Sequence, residues 1–156
     1  MKAAVCYGSG MPLVIKDRPD PVAAPGRVVI EVERCGLCGS ELHLNDGPPR
    51  RFPDGFVMGH EFAGRIVELG QGVTGLTIGQ RVAAFPAVGC GACAACRTGN
   101  WILCPRAERV SGGFAQYASI PAAAAGPLGE HLNAADGALI EPPTVSLHGL
   151  LLSRIP

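Results

Sequence analysis

No block of like charge runs anywhere in these 156 residues: Lys+Arg number 13, Asp+Glu number 13, and the formal net charge is zero. That balance excludes the electrostatic footprint of a nucleic-acid binder and leaves no polybasic patch for a membrane surface. No apolar run has the length of a membrane-spanning helix, because the longest stretches, such as PAAAAGPLG, are broken by Pro and Gly. The opening MKAAVCYG lacks a secretory-signal profile, so the expected compartment is the cytoplasm. There is no internal repeat of solenoid period, and helical signals are few. Disorder is excluded by a hydrophobic content of 47%, despite Gly 22 and Pro 14. The length fits one domain with a core of its own.

What the chain does contain is a series of short strand-like runs. Residues 2–7 and 13–16 predict an opening hairpin around Gly8-Ser9-Gly10. Pro19, Pro21 and Pro25 then rule out helix before RVVIEVERC, where Val28, Ile30 and Val32 share one face at a two-residue period. Further strands are expected at residues 61–69, 80–85 and 114–120, with Gly70, Gly72 and Gly75 marking turns between the first two of them. Helix is expected only in a short turn over residues 40–45, with Ser40 as its cap, and in the tail from Thr144 onward.

Cysteine is the informative residue. Six of the seven lie in two tight clusters, a pattern that favours metal binding over a disulfide framework. Cys90, Cys93, Cys96 and Cys104 are spaced C-x2-C-x2-C-x7-C in a Gly- and Ala-rich loop. Four thiolates around one tetrahedral ion make a closed, structural zinc site. Such binding supplies roughly 10–16 kcal/mol to the folding of small zinc peptides, enough to hold a loop whose large apolar residues are Trp101, Ile102 and Leu103. Coincidental free cysteines and an iron–sulfur cluster are the competing readings, and both rank below zinc.

A second constellation lies upstream, in CGLCGSELH followed by Gly59-His60-Glu61. Cys38 offers a soft thiolate, His60 an imidazole, and Glu61 an adjacent carboxylate. Mixed S/N/O ligands with a position left open suit a catalytic zinc, which acts as a Lewis acid on a bound hydroxyl. An alcohol deprotonated in this way has an electron-rich oxygen from which a hydride can leave. Ser40 and His43, three residues apart on a helical turn, could pass the proton from a water-poor pocket toward solvent. A lone histidine at such a turn is more often structural. The Cys35–Cys38 pair also has the letters of a redox motif, but no βαβ pattern surrounds it, so Cys35 is expected simply to pack.

Taken together, MKAAV, CGLCGSELH, GHEFAG, the cysteine loop, GGFAQY and Glu141-Pro142 occur in an order that resembles the zinc-containing medium-chain alcohol dehydrogenases. The pattern is that of the polyol, butanediol and threonine dehydrogenase branch. The resemblance implies a mainly β, GroES-like, partly open β-barrel with a few short helices and a zinc-bearing loop lobe at about residues 89–105. It implies that residues 1–141 form the zinc-binding catalytic domain and that 142–156 begin a helix connecting to a Rossmann domain. It further implies two zinc ions, a structural one on the four-cysteine loop and a catalytic one on Cys38 and His60. Glu61 is then a third ligand or near-ligand, and Glu141 stands where other branches use cysteine, with the catalytic state deciding which acid binds. Ser40 and His43 match the proton relay. Two positions depart from the family's habit: Glu41 replaces an Asp, and Pro143 replaces an aliphatic residue.

The same resemblance implies NAD or NADP as cofactor, yet no G-x-G-x-x-G follows a strand and opens a helix. The expectation is therefore the catalytic-domain portion of a zinc-dependent dehydrogenase of a small alcohol or polyol, inactive alone. Its cofactor domain would be absent from this chain or carried by a separate Rossmann-domain chain. A non-catalytic zinc-binding module is the alternative. The resemblance implies a homo-oligomer for the full-length enzyme, and the apolar tail over residues 147–155 is expected to be a docking surface or an aggregation liability.

Overall fold

The computed structural model describes residues 1–153. Strands β1 (Lys2–Val5) and β2 (Val14–Asp17) pair antiparallel as the expected hairpin, with Lys2 opposite Asp17 and Val5 opposite Val14. The hairpin is stitched to the rest of the chain by bridges from Ala3 to Ala115 and from Val5 to Val57. The nine-residue β3 (Arg27–Cys35) carries the core. It leads into α1 (Gly39–Asp46), which is followed by β4 (Phe62–Leu69) and β5 (Arg81–Ala84).

A lobe then leaves the sheet through β6 (Ala87–Val88), passes α2 (Ala94–Arg97) and a 3-10 turn at Trp101–Leu103, and returns on β7 (Glu108–Arg109). Beyond it, β8 (Tyr117–Pro121) and β9 (Ala125–Pro127) complete a five-stranded antiparallel sheet of order β8-β3-β4-β5-β9. The short α3 (Ala134–Ala138) lies on that sheet, and α4 (Glu141–Ser153) follows.

The sheet folds around one apolar cluster. Val28 and Ile30 of β3, Phe62 and Ile66 of β4, Val82 of β5 and Ile120 of β8 meet there, all fully buried. Val29, on the opposite face of β3, is buried as well, so the middle of this strand is covered on both sides. Register shifts between Val29 and Ile30 and between Val32 and Arg34 bend β3 against β4, as bulges do. Gly64 permits the close approach at that bend, because a Cβ there would collide with the Glu31 carbonyl. The edges β8 and β9 do not pair with one another, so the barrel is open, as expected for the fold.

Strand ends shift by a residue or two from the sequence reading, and some differences have a clear cause. The cap of α1 is Cys38, and Ser40 sits inside the first turn. Strand β8 begins at Tyr117, because residues just before it bond to the opening strand: Ala4 N–H to the Phe114 carbonyl, and Gln116 N–H to the Lys2 carbonyl. Helix α3 was not anticipated. Its signal is Asn133-x-x-Asp136, in which the Asn133 side chain accepts from Ala135 and Asp136 N–H while the Asp136 carboxylate accepts from Asn133 N–H. Helix α4 starts at Glu141 because Pro142 and Pro143 occupy the first turn, where a missing N–H is harmless; Thr144 N–H closes the first bond to the Ile140 carbonyl. Residues 154–156 of the expected tail lie outside the described residues.

Position in the core sets the sensitivity to truncation. Ile66→Ala is expected to destabilise the fold by about 3 kcal/mol, whereas Ile78→Ala, at a site 67% exposed, should change it by less than about 0.5 kcal/mol. Denaturant unfolding of both variants checks this, and equal losses would mean that the core is misplaced.

Candidate metal centres

The end of β3 and the start of β4 are neighbours, with Cys35 opposite Phe62. The residues just outside that pair therefore converge. Ligand atoms of Cys38, His60 and Glu61 all lie within 4.8 Å of one another. Gly59 makes the approach possible. Its φ of +92° is a left-handed conformation, and a Cβ there would stand 2.8 Å from the Phe114 backbone nitrogen and 3.0 Å from Cys35 Sγ.

Glu41 ties the cluster together, and its partners were not evident from the sequence. Only 5% exposed, it accepts from Cys38 N–H at 2.9 Å through Oε2. Through Oε1 it accepts from Gly59 N–H at 2.8 Å and meets His60 Nδ1 at 3.1 Å. With Nδ1 occupied by a carboxylate, Nε2 is the nitrogen left for a metal, an arrangement that recurs around metal-bound histidines. The extra methylene of Glu over Asp does not break this link. Sequence reasoning noted Glu41 as a departure from a family habit, a longer acid expected to alter a supporting salt bridge, without naming its partners. Its position three residues after Cys38, in the first turn of a helix, was the available signal.

Burial and charge then argue for a cation. Glu61 and Glu41 are 8% and 5% exposed, and both act on the half-buried Cys35 thiol, so two carboxyl groups lie around one cysteine in a poorly hydrated region. Buried negative charge on this scale needs a positive partner. The donor set of one S, one N and one O suits a borderline-soft ion such as Zn²⁺ with a position left for water or substrate. Cys35 takes no part in the cluster. Its thiol is pushed up to about 12, chiefly by burial and further by Glu41 and Glu61, and it packs against the core as expected.

The other expected residues fall in two groups. Ser40 and His43 lie on α1 as anticipated, but both are exposed, because nothing among the described residues covers that side of the helix. The water-poor pocket expected around them is therefore not formed by this part of the chain. Glu141 is the first residue of α4, half-buried, and is not gathered into the cluster of Cys38, His60 and Glu61.

In the lobe, ligand atoms of Cys90, Cys93, Cys96 and Cys104 come within 4.8 Å of one another. Backbone N–H groups of Ala92 and Cys93 pull the Cys90 thiol down to about 6. Cys104 is lowered chiefly by the N–H of Cys90, at 3.4 Å from its Sγ, while burial pushes Cys96 up to about 11. The lobe has almost no apolar interior: Ile102 and Leu103 are 73% and 69% exposed. Four sulfurs gathered this closely without a core to hold them fit a structural metal.

Residues 24–130 match the alcohol dehydrogenase GroES-like domain. The chain belongs to that family. It is 36% identical over 149 residues to an L-threonine 3-dehydrogenase of Xanthomonas axonopodis pv. citri, a match that covers 91% of this chain and 44% of the relative. The crystal structure of 2R,3R-butanediol dehydrogenase from Bacillus subtilis superposes with a TM-score of 0.85 at 31% identity, covering 99% of this chain and 48% of that one. A Sinorhizobium meliloti protein described as a zinc-binding dehydrogenase, solved with NADP, superposes with a TM-score of 0.80 at 31% identity over 97% of this chain and 45% of that one.

The family is one of oxidoreductases, and the chain spans a little under half the length of these relatives. No helix among the described residues is long and apolar enough to cross a membrane. The run GQGVTG, residues 70–75, has the letters of a dinucleotide-binding turn and follows β4. It opens onto turns and then β5, so no helix N-terminus is presented to a pyrophosphate.

Thiol chemistry distinguishes the cysteines of this GroES-like domain. In metal-free protein at pH 7, Cys90 is mostly thiolate and should alkylate well ahead of Cys35, which stays protonated up to about pH 12. Mass-spectrometric mapping after brief iodoacetamide treatment checks the order; preferential labelling of Cys35 would contradict the burial described for it.

Proposed function

We propose that this chain is the zinc-binding catalytic portion of an alcohol or polyol dehydrogenase that removes a hydride from a primary or secondary alcohol and delivers it to NAD or NADP. The observation that carries the reading is the meeting of Cys38, His60 and Glu61 at the N-terminus of α1, with Ser40 and His43 on the same helix. When bound there, zinc supplies Lewis-acid chemistry that lowers the pKa of an alcohol hydroxyl.

The remaining roles belong to side chains. Cys38, His60 and Glu61 would hold the ion, and Glu41, by occupying Nδ1 of His60, would leave Nε2 for it. Ser40 receives the substrate hydroxyl proton and His43, one helical turn further along α1, passes it to solvent. Glu141, at the head of α4, is the second acid for this metal, exchanging with Glu61 as the site changes state. Cys90, Cys93, Cys96 and Cys104 hold a second, structural zinc.

Residues 1–141 act as the catalytic domain, and the segment from 142 onward leads toward a cofactor-binding domain on this or another chain. The nicotinamide must be held beside the reacting carbon, and the described residues supply no dinucleotide turn. A small-molecule alcohol or polyol is the substrate, and the full enzyme is a homo-oligomer in the manner of its family.

Two zinc ions per chain are expected by elemental analysis of protein purified without chelator. Cys38→Ser should lose one of them at a cost to folding below about 1 kcal/mol. Cys93→Ser should lose the other and destabilise the chain by roughly 3 kcal/mol. A zinc content near zero, or two variants that lose the same metal and the same stability, would overturn the division of roles. The isolated chain should also show no tight NAD or NADP binding by calorimetry; micromolar affinity would reveal a cofactor site on it.

A further inference from the structure

The four-cysteine lobe has a charged neighbour that the zinc reading does not use. Pro105 follows Cys104 directly, and Ala107 N–H donates to the Cys104 carbonyl at 3.1 Å, closing a tight turn with proline at its second position. That turn carries Arg106 back onto the sulfurs. Its backbone N–H donates to Cys104 Sγ at 3.4 Å, and its guanidinium donates to Cys90 Sγ at 3.2 Å. One residue thus bonds the ligands at both ends of the motif, 14 positions apart. Among the described residues, no other charged side chain is in hydrogen-bond contact with the four sulfurs.

We propose that Arg106 is a positioning residue of the four-cysteine site, holding Cys90 and Cys104 in register and offsetting the charge of the loaded cluster so that the metal is retained. The proposal rests on the reading of these cysteines as a zinc site. Four thiolates around Zn²⁺ leave a net charge of −2, in a lobe with no apolar interior to exclude water. A guanidinium is suited to this place because it stays charged and aims its N–H groups in a fixed fork. Hydrogen-bond partners just outside a metal's ligands change its affinity by roughly 10- to 100-fold, and the exposure of this lobe places Arg106 at the lower end.

The test uses Cys38→Ser as parent, so that a single zinc reports on the lobe, and follows its release to a neutral polypyridyl chelator. Arg106→Gln, which keeps a donor but not the charge, should release zinc about tenfold faster than the parent. Arg106→Lys, which keeps the charge but not the fork, should fall between them. Added salt should speed release from the parent and leave Arg106→Gln nearly unmoved, since only the parent has the charge contact to screen. Equal rates in folded parent and Arg106→Gln overturn the proposal while leaving the zinc site standing. If Arg106→Gln fails to fold, a rate in Arg106→Lys equal to the parent's overturns the forked contact. A parent that holds no zinc overturns the metal reading, and this proposal with it.

Discussion

One buried carboxylate organises the mixed-ligand site. Glu41 sits in the first turn of α1, where negative charge is favoured by the helix dipole, and takes hydrogen bonds from the backbone of Cys38 and of Gly59. It also holds one nitrogen of His60. Cys38 and Gly59 lie on opposite sides of a long excursion that contains α1 and the Pro- and Arg-rich loop after it. Glu41 joins the two ends of that excursion, so the thiolate and the imidazole reach the same point in space. Three donors on one carboxylate also satisfy its burial, which would otherwise be costly.

The sheet makes this joint possible. Strands β3 and β4 pair along their length, and Cys35 faces Phe62 where α1 leaves and the Gly59-His60-Glu61 turn arrives. The chemistry is therefore mounted at the end of a rigid pair and not on a free loop. The lobe is attached differently. Arg27 of β3 reaches Glu108 of β7 at 2.6 Å and also bonds Ser119 of β8, clamping the lobe's return strand to the sheet. Inside the lobe, order comes from sulfur and its N–H partners. The two clusters thus answer to different forces: one depends on strand registry and a buried acid, the other on four cysteines gathered in a loop with almost no apolar interior.

Much of this was legible in the residues themselves. The two-residue period of RVVIEVERC gave β3 its bounds, and residue spacing marked both groups of side chains that the fold brings together. The misses have physical causes. Strands β6 and β7 and helix α2 are too short to show a period and exist because the lobe closes around its cysteines. Two prolines concealed the start of α4, though proline is at home in a first turn. Ser40 looks like a helix cap, but the chain enters α1 two residues earlier, at Cys38. Ser40 and His43 lie on the helix where the sequence put one, yet their exposure depends on what covers α1, which no local pattern encodes. Glu41 was seen as a longer substitute for Asp, and only the fold shows that its reach ends on three donors.

The account turns on which nitrogen of His60 the acid occupies. The direct measurement is a long-range proton–nitrogen NMR spectrum of the zinc-loaded chain with ¹⁵N-labelled histidine, compared with Glu41→Gln. The structure predicts a proton held on Nδ1 of His60 and a metal-coordinated shift on Nε2, both lost or averaged in Glu41→Gln. Coordination through Nδ1, or an unchanged His60 spectrum in the variant, would contradict the claim that Glu41 sets the site.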